Sequence, residues 1–433
     1  MYDLCLKNTK ILQNNTLTEC SIHIKNGKIS KISKTPEKSD KTINLEEKIS
    51  LPGFIDPHVH FRDPGLTYKE DFHTGTRAAA RGGFTSIIDM PNTQPKTNTY
   101  KNFQDKIKIA EQKSIIDFAL HAGINTNLNE IPKIKQLKPA SYKIFMDLMT
   151  HEEIAKVFQK VSLQENPLIT VHCEDKHIIE TKTEQLKKEG QTEPITYSKA
   201  RPSHSEDVAV MEAVSLALLY KVNLHICHIS TYASLIYTNA MKPVFKAENL
   251  ILTNEITPQH LFLDNTSFNK CGNISKTNPP LRPPGENITI NNIKYIDMIG
   301  TDHAPHSLEE KNKDVWTSSP GIPNIEIVAR LLLTEINNKN LTLSCFQNLT
   351  STNAAKAFNL ENKGTLNEGK DADITVIDLN KTGKIDVDSF ESKAHYSPFE
   401  GREYIGDVHM TISRGNIVLE NETIYDNTGK YLY

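Results

Sequence analysis

The chain has 433 residues, 37% of them hydrophobic and 24% charged, a balance that supports a packed core and excludes a disordered chain. Fifty Lys and Arg against 53 Asp and Glu leave a formal charge of −3, so nothing draws the chain as a whole toward nucleic acid or an anionic membrane. No apolar run approaches the roughly 18 residues of a membrane span, and the opening MYDLCLKNTK does not read as a secretory signal. Cys5, Cys20, Cys173, Cys227, Cys271 and Cys345 are scattered without a CxxC pair. That spacing argues for reduced thiols in a cytoplasmic protein rather than a disulfide framework or a cysteine zinc site.

Residues 20–29 (CSIHIKNGKI) hold Asn-Gly between two apolar runs, a hairpin signal. From residue 51 the pattern changes to strand then helix. Strands are expected at 51–55, 85–89, 115–121, 142–146, 168–172, 223–228, 250–255 and 295–300. A helix is expected over 68–81 and another over 205–220, with Ser205 as N-cap and an apolar stripe of Val208, Met211, Val214, Ala217 and Leu218. Residues 258–292, rich in Pro and Asn, read as a long loop over a barrel mouth. Residues 373–379 and 409–419 return to strand patterning. Eight strands alternating with helices predict an α/β fold, a (β/α)8 TIM barrel over 51–360. Residues 1–50 and 361–433 are expected to form one small composite β-sandwich domain; two unrelated β extensions are the alternative.

The chemistry concentrates at strand ends. In Asp56-Pro57-His58-Val59-His60 the two histidines are two residues apart, so in an extended segment they face the same way and can offer a nitrogen each to one metal. His172 ends LITVH, and Asp302 ends IGTD. Leu224, Ile226 and His228 share one strand face, which places His228 inward, His225 toward the helices, and Cys173 and Cys227 away from the interior. Barrel enzymes place catalytic groups at such C-terminal strand ends, and four histidines with one aspartate suit zinc or a similar divalent ion. A bridge between two metals needs one more anion. Lys143 is costly to bury as a cation, but its carbamate, formed with carbon dioxide, has two oxygens for two metals. Asp147, on the same strand face, is the alternative bridge.

DPHVHFRDPG at 56–65, MPNT at 90–93, YKIFMD at 142–147, VHCED at 171–175, HICHIS at 225–230, NPPLR at 278–282 and GTDHAPH at 300–306 together resemble the dihydroorotase family of the amidohydrolase superfamily. Residues 364–378 are similar to that family's return into its β domain. The resemblance implies two divalent metals, with His58, His60, Lys143 and Asp302 as ligands of one and Lys143, His172 and His228 of the other. It implies an N-carboxylated Lys143, and substrate binding by Arg62, Asn92, Asn278 and His306. It implies reversible hydrolysis of dihydroorotate to N-carbamoyl-L-aspartate, in pyrimidine biosynthesis, by a metal-bridging hydroxide with Asp302 as general acid and base. Asn324, where the family pattern expects glycine, departs from it.

Two other readings stand beside this one. An allantoinase or dihydropyrimidinase would share the metal cage without needing a carboxylate clamp. An inactive scaffold barrel would instead have lost ligands. The expected partner is the small-molecule substrate, with homo-oligomerisation or association with aspartate transcarbamoylase as further expectations.

Overall fold

The computed structural model describes residues 1–124 and 127–433. Eight parallel strands run in one sheet: β1 (Phe54–Val59), β2 (Phe84–Asp89), β3 (Asp117–Gly123), β4 (Ser141–Phe145), β5 (Leu168–His172), β6 (Asn223–Ile226), β7 (Leu252–Ile256) and β8 (Met298–Ile299). Each pairs with its sequence neighbour. Past the end of β8, a parallel bridge between Val59 and His303 brings the last strand back to the first, and the His60 N–H donates to the His303 carbonyl at 2.9 Å. The result is a nearly closed barrel. Its outer layer includes α1 (Phe72–Arg81), α2 (Tyr100–Lys113), α3 (His151–Val161), α4 (Lys176–Lys188), α5 (Ser203–Tyr220), α6 (Tyr232–Ala247) and α7 (Val328–Asn337).

The two ends of the chain build a second, mixed sheet of nine strands. Tyr2–Gln13, Thr16–Lys25, Lys28–Ser33, Ser39–Asn44 and Ile49–Pro52 come from the N-terminus; Ile374–Lys384, Glu403–Ser413, Asn416–Glu420 and Thr423–Ile424 come from the C-terminus. The halves join where Ile374 pairs with Pro52 and Val376 with Ser50, antiparallel. The hairpin at Asn26-Gly27 is present, both residues having positive φ (51° and 74°), as a tight two-residue turn requires.

Three local expectations are corrected. The stretch expected as the first barrel strand divides: Ile49–Pro52 belongs to the terminal sheet, and the barrel strand starts at Phe54. Gly53 makes the crossing, packed so closely that a Cβ there would lie 2.2 Å from Thr85 Oγ1. Helix α5 begins at Ser203 rather than after Ser205; Ser205 Oγ bonds back to the Pro202 carbonyl at 2.7 Å inside the first turn. The buried face of α5 is Ala209, Val210, Ala213, Val214 and Ala217, whereas Val208 and Met211 are exposed. This helix is apolar on nearly every side, so periodicity could not choose its inner face.

Candidate metal centre and active site

Strand β1 ends in a buried, tightly held turn. Asp89, at the end of β2, accepts the Phe61 N–H at 2.7 Å and is ion-paired with the fully buried Lys106. Asp56 accepts the His58 and Thr301 N–H groups, each at 3.0 Å, tying β1 to the segment after β8. With the strand fixed, His58 and His60 project together. Their Nε2 atoms lie 3.3 and 3.0 Å from the same Oδ1 of Asp302. Across the mouth, His172 Nδ1 faces His228 Nε2 at 2.9 Å, and the His58 and His228 rings lie 5.2 Å apart. All five residues are buried and line one cavity of about 480 Å³, together with Lys143.

The far side of most of these rings is held. His58 Nδ1 meets Glu255 Oε1, His60 Nδ1 meets Asn92 Oδ1 at 2.7 Å, and His172 Nε2 meets Glu174 Oε2 at 3.0 Å. Rings anchored at one nitrogen and converging with the other are the arrangement of metal-ligating histidines, whose second N–H is fixed by a carboxylate or carbonyl. Burial keeps His60 neutral, down to about 4, and holds His228 well below the usual histidine range; neutral imidazole is the ligating form. At His58 burial also opposes the proton, but the Glu255 carboxylate overrides it and raises the ring to about 10. Burial likewise works against a charge on Asp302, yet His58 and His60 keep its carboxyl below the usual range. His58, His60 and Asp302 offer ligand atoms all within 4.8 Å of one another, so the donor set fits a divalent cation.

Backbone conformation reinforces this. Arg62, His228 and Asp302 all have positive φ, 61°, 32° and 47°. Non-glycine residues pay for that conformation, and such strain gathers at functional sites. His228 does face the cavity, but through this left-handed backbone and not through the shared strand face expected from the sequence. Strand β6 stops at Ile226, so alternation no longer applies at 228. Leu224 and Ile226 join the outer apolar core with Val210 and Val214 of α5. His225 instead faces Thr253 and Glu255, at 2.8 and 3.0 Å. Cys227, expected to point away, lies 2.8 Å from Lys143 Nζ.

Lys143 is fully buried, and no carboxylate pairs with it among the described residues. Asp147, the alternative bridge, is held by Arg201 at 2.8 Å and stands 3.8 Å from His172 Nε2. Arg62 is buried with its Nη2 at 3.1 Å from His306 Nε2 and its Nε without a partner among the described residues. Lys69 Nζ lies 3.1 Å from His306 Nδ1. Burial, with Arg62 and Lys69 beside it, holds His306 far below its ordinary range and therefore neutral. Asn278 accepts from Tyr197 Oη at 2.6 Å. Asn92, Asn278, Arg62 and His306 all line the cavity. Asn324, where glycine was expected, is buried and donates to Gln259 Oε1 at 2.7 Å.

Sequence reasoning missed the groups behind the cage. Glu255 is the fourth residue of the strand LTNEI, behind Thr253 and Asn254, so no apolar run ends on it as one ends on Asp302. Glu174 lies two residues past His172, beyond the end of β5, and Arg201 clasps it at 3.0 and 3.1 Å.

A parallel barrel with a cluster of metal-type donors at its mouth is the architecture of metal-dependent hydrolases, and comparison with known proteins narrows the class to those acting on cyclic amides. Residues 49–418 match the model of the amidohydrolase family. A dihydroorotase of Methanosphaera stadtmanae is 49% identical, with 100% of both chains covered. One of Methanothermobacter thermautotrophicus is 42% identical over 100% of this chain and 97% of its own. Among solved structures, the L-hydantoinase (dihydropyrimidinase) of Arthrobacter aurescens superposes with a TM-score of 0.93 at 29% identity, covering 100% of both chains. The chain belongs to the amidohydrolase family, and within it to the dihydroorotases. Its substrate is accordingly a small molecule, and no helix among the described residues is long and apolar enough to cross a membrane.

Proposed function

We propose that the chain interconverts dihydroorotate and N-carbamoyl-L-aspartate. The observation that carries this reading is the buried Arg62, its Nε unpartnered among the described residues, on the same cavity wall as the His58–His60–Asp302 cage. A guanidinium fork suits a carboxylate, which dihydroorotate carries and dihydrouracil lacks.

In this reading His58, His60 and Asp302 would hold one divalent ion, His172 and His228 would hold a second, and Lys143 would serve both. Lys143 would do so as the carbamate formed when its neutral amine adds carbon dioxide and loses a proton. Imidazole and carboxylate oxygen donors suit Zn²⁺. When bound, such ions supply Lewis-acid polarisation of the ring amide carbonyl and a water ionised near neutral pH. Arg62 and His306 hold the substrate carboxylate, and the amides of Asn92 and Asn278 orient the ring. Asp302, at the centre of the cage, accepts the proton of the attacking water as the new C–O bond forms. It returns that proton to the ring nitrogen as the C–N bond breaks. In reverse, Asp302 takes the carbamoyl N–H proton, the nitrogen closes on the side-chain carboxyl, and water leaves.

The likeness to hydantoinase and dihydropyrimidinase structures favours a second reading, hydrolysis of an uncharged cyclic amide. Turnover of dihydroorotate, dihydrouracil and allantoin by the same preparation separates them. Dihydroorotate should be used with by far the highest kcat/KM; preference for either uncharged ring would overturn the proposal.

A further inference from the structure

Each ring nitrogen of His306 faces one hydrogen-bond donor and one acceptor. Nε2 lies 3.1 Å from Arg62 Nη2 and 3.0 Å from the Pro320 carbonyl oxygen. Nδ1 lies 3.1 Å from Lys69 Nζ and 3.3 Å from Glu310 Oε2. Burial, with Arg62 and Lys69 beside it, keeps the ring neutral, so a single proton sits on one nitrogen or the other. With the proton on Nδ1, the ring donates to Glu310 and accepts from Arg62. With the proton on Nε2, it donates on the cavity side and accepts from Lys69. Either tautomer finds a partner at both nitrogens.

The groups around the ring are fixed independently of it. Lys69 Nζ pairs with Glu310 Oε1 at 2.8 Å, and the same oxygen accepts from Tyr68 Oη at 3.1 Å. Glu310 also closes the capping box of the short helix Leu308–Lys311, where its Oε2 accepts the Ser307 N–H at 3.3 Å. On the opposite side, Lys311 Nζ donates to the carbonyls of Ser319 and Gly321, each at 3.0 Å, which holds the Pro320 carbonyl between them. What selects the tautomer is Arg62. Its guanidinium has no hydrogen-bond partner besides His306 among the described residues. Without substrate this buried cation needs Nε2 as an acceptor, and the proton belongs on Nδ1.

We propose that the Lys69–Glu310 pair lets His306 change tautomer when the substrate carboxylate binds. The inference rests on the dihydroorotate reading above. A carboxylate that takes up the Arg62 donors releases Nε2 from accepting. The ring then carries its proton on Nε2 and turns from an acceptor for Arg62 into a second donor for the anion. One proton leaves Nδ1 through Glu310 to solvent and one reaches Nε2 from solvent, so the ring stays neutral. Lys69 donates to the vacated Nδ1. Lys69 and Glu310 stand behind the ring, outside the lining of the cavity, and are positioning residues that act through His306. An uncharged ring amide leaves Arg62 on His306, so the exchange also favours a substrate that carries a carboxylate.

The test is a double-mutant cycle on KM for dihydroorotate, measured with the full-length, metal-loaded enzyme. Lys69→Met should raise KM roughly tenfold, with kcat at saturation changing less than about threefold. In a His306→Gln background the same substitution should change KM less than about twofold. An equal rise in both backgrounds would mean that Lys69 acts through its charge alone, and overturns the inference, as does an unchanged KM in Lys69→Met. If His306→Gln by itself leaves KM unchanged, the carboxylate is not held at His306, and the clamp falls together with the inference built on it. NMR of isotopically labelled histidine nitrogens in the wild-type enzyme gives a second readout should Lys69→Met misfold. The His306 signals are identified by their loss in His306→Gln. The ring proton should sit on Nδ1 without substrate and on Nε2 with saturating dihydroorotate; the same tautomer in both states overturns the inference.

Discussion

Lys143 Nζ lies 2.8 Å from Cys227 Sγ on the buried floor of the barrel mouth. A thiol is a weak partner for an ammonium group, and burial penalises the cation further. In the proposed reading a carbamate on this amine, in the cavity that His58, His60, His172, His228 and Asp302 also line, would serve better. Intact mass under mild, bicarbonate-containing conditions should show a species heavier by one carbon dioxide. Lys143→Ala should lose bound metal and turnover together, and short carboxylic acids should restore part of both. Normal metal content without rescue would move the bridge to Asp147.

Asp302 is shared between the Nε2 atoms of His58 and His60 and is assigned the proton transfer. Asp302→Asn keeps shape but cannot carry that proton. Turnover should fall by roughly 10²–10⁴, with the far-ultraviolet spectrum unchanged. Near-normal rates would remove Asp302 from the role.

In the proposed reading Arg62 binds the substrate carboxylate without reacting. Arg62→Ala should raise KM for dihydroorotate by roughly ten- to a hundredfold, the worth of a charge-assisted hydrogen bond of about 1.5–3 kcal/mol. The kcat of the saturated variant should change much less. Unchanged affinity would place the carboxylate elsewhere.

The cage itself was legible because extended strands have a period of two, which puts His58 with His60 and leaves His172 and Asp302 at the ends of apolar runs. The barrel was legible for the same reason, through eight such runs in order. The sequence reading failed where strands stop. β6 ends at Ile226 and His228 takes a left-handed backbone, so alternation misplaced His225 and Cys227. It failed again at α5, where Val208 and Met211 were expected inside. Glu255, which joins His58, His225 and the His228 N–H, comes from a strand far along the chain, and no local spacing announces it.

Stability should carry a pH signature away from the cage. Glu326 is buried and accepts the Glu391 and Ser392 N–H groups, each at 3.1 Å, with Arg81 at 3.7 Å. Burial pushes its carboxyl up to about 7. The folded chain thus holds this proton more tightly than the unfolded chain. The resulting stabilisation is present below the ordinary glutamate range and is lost as pH rises toward 7, a swing of roughly 3 kcal/mol. Glu326→Gln removes the titration. The difference in Tm between variant and wild type should move in the variant's favour from pH 5 to pH 8, as read by calorimetry. A difference independent of pH would mean that Glu326 is ionised throughout.

Removing and restoring the metal asks the most direct question. Protein freed of divalent ions by chelation and dialysis should lose dihydroorotate turnover and regain it in step with added zinc, levelling off near two ions per chain. Full turnover by the cation-free protein would contradict the account.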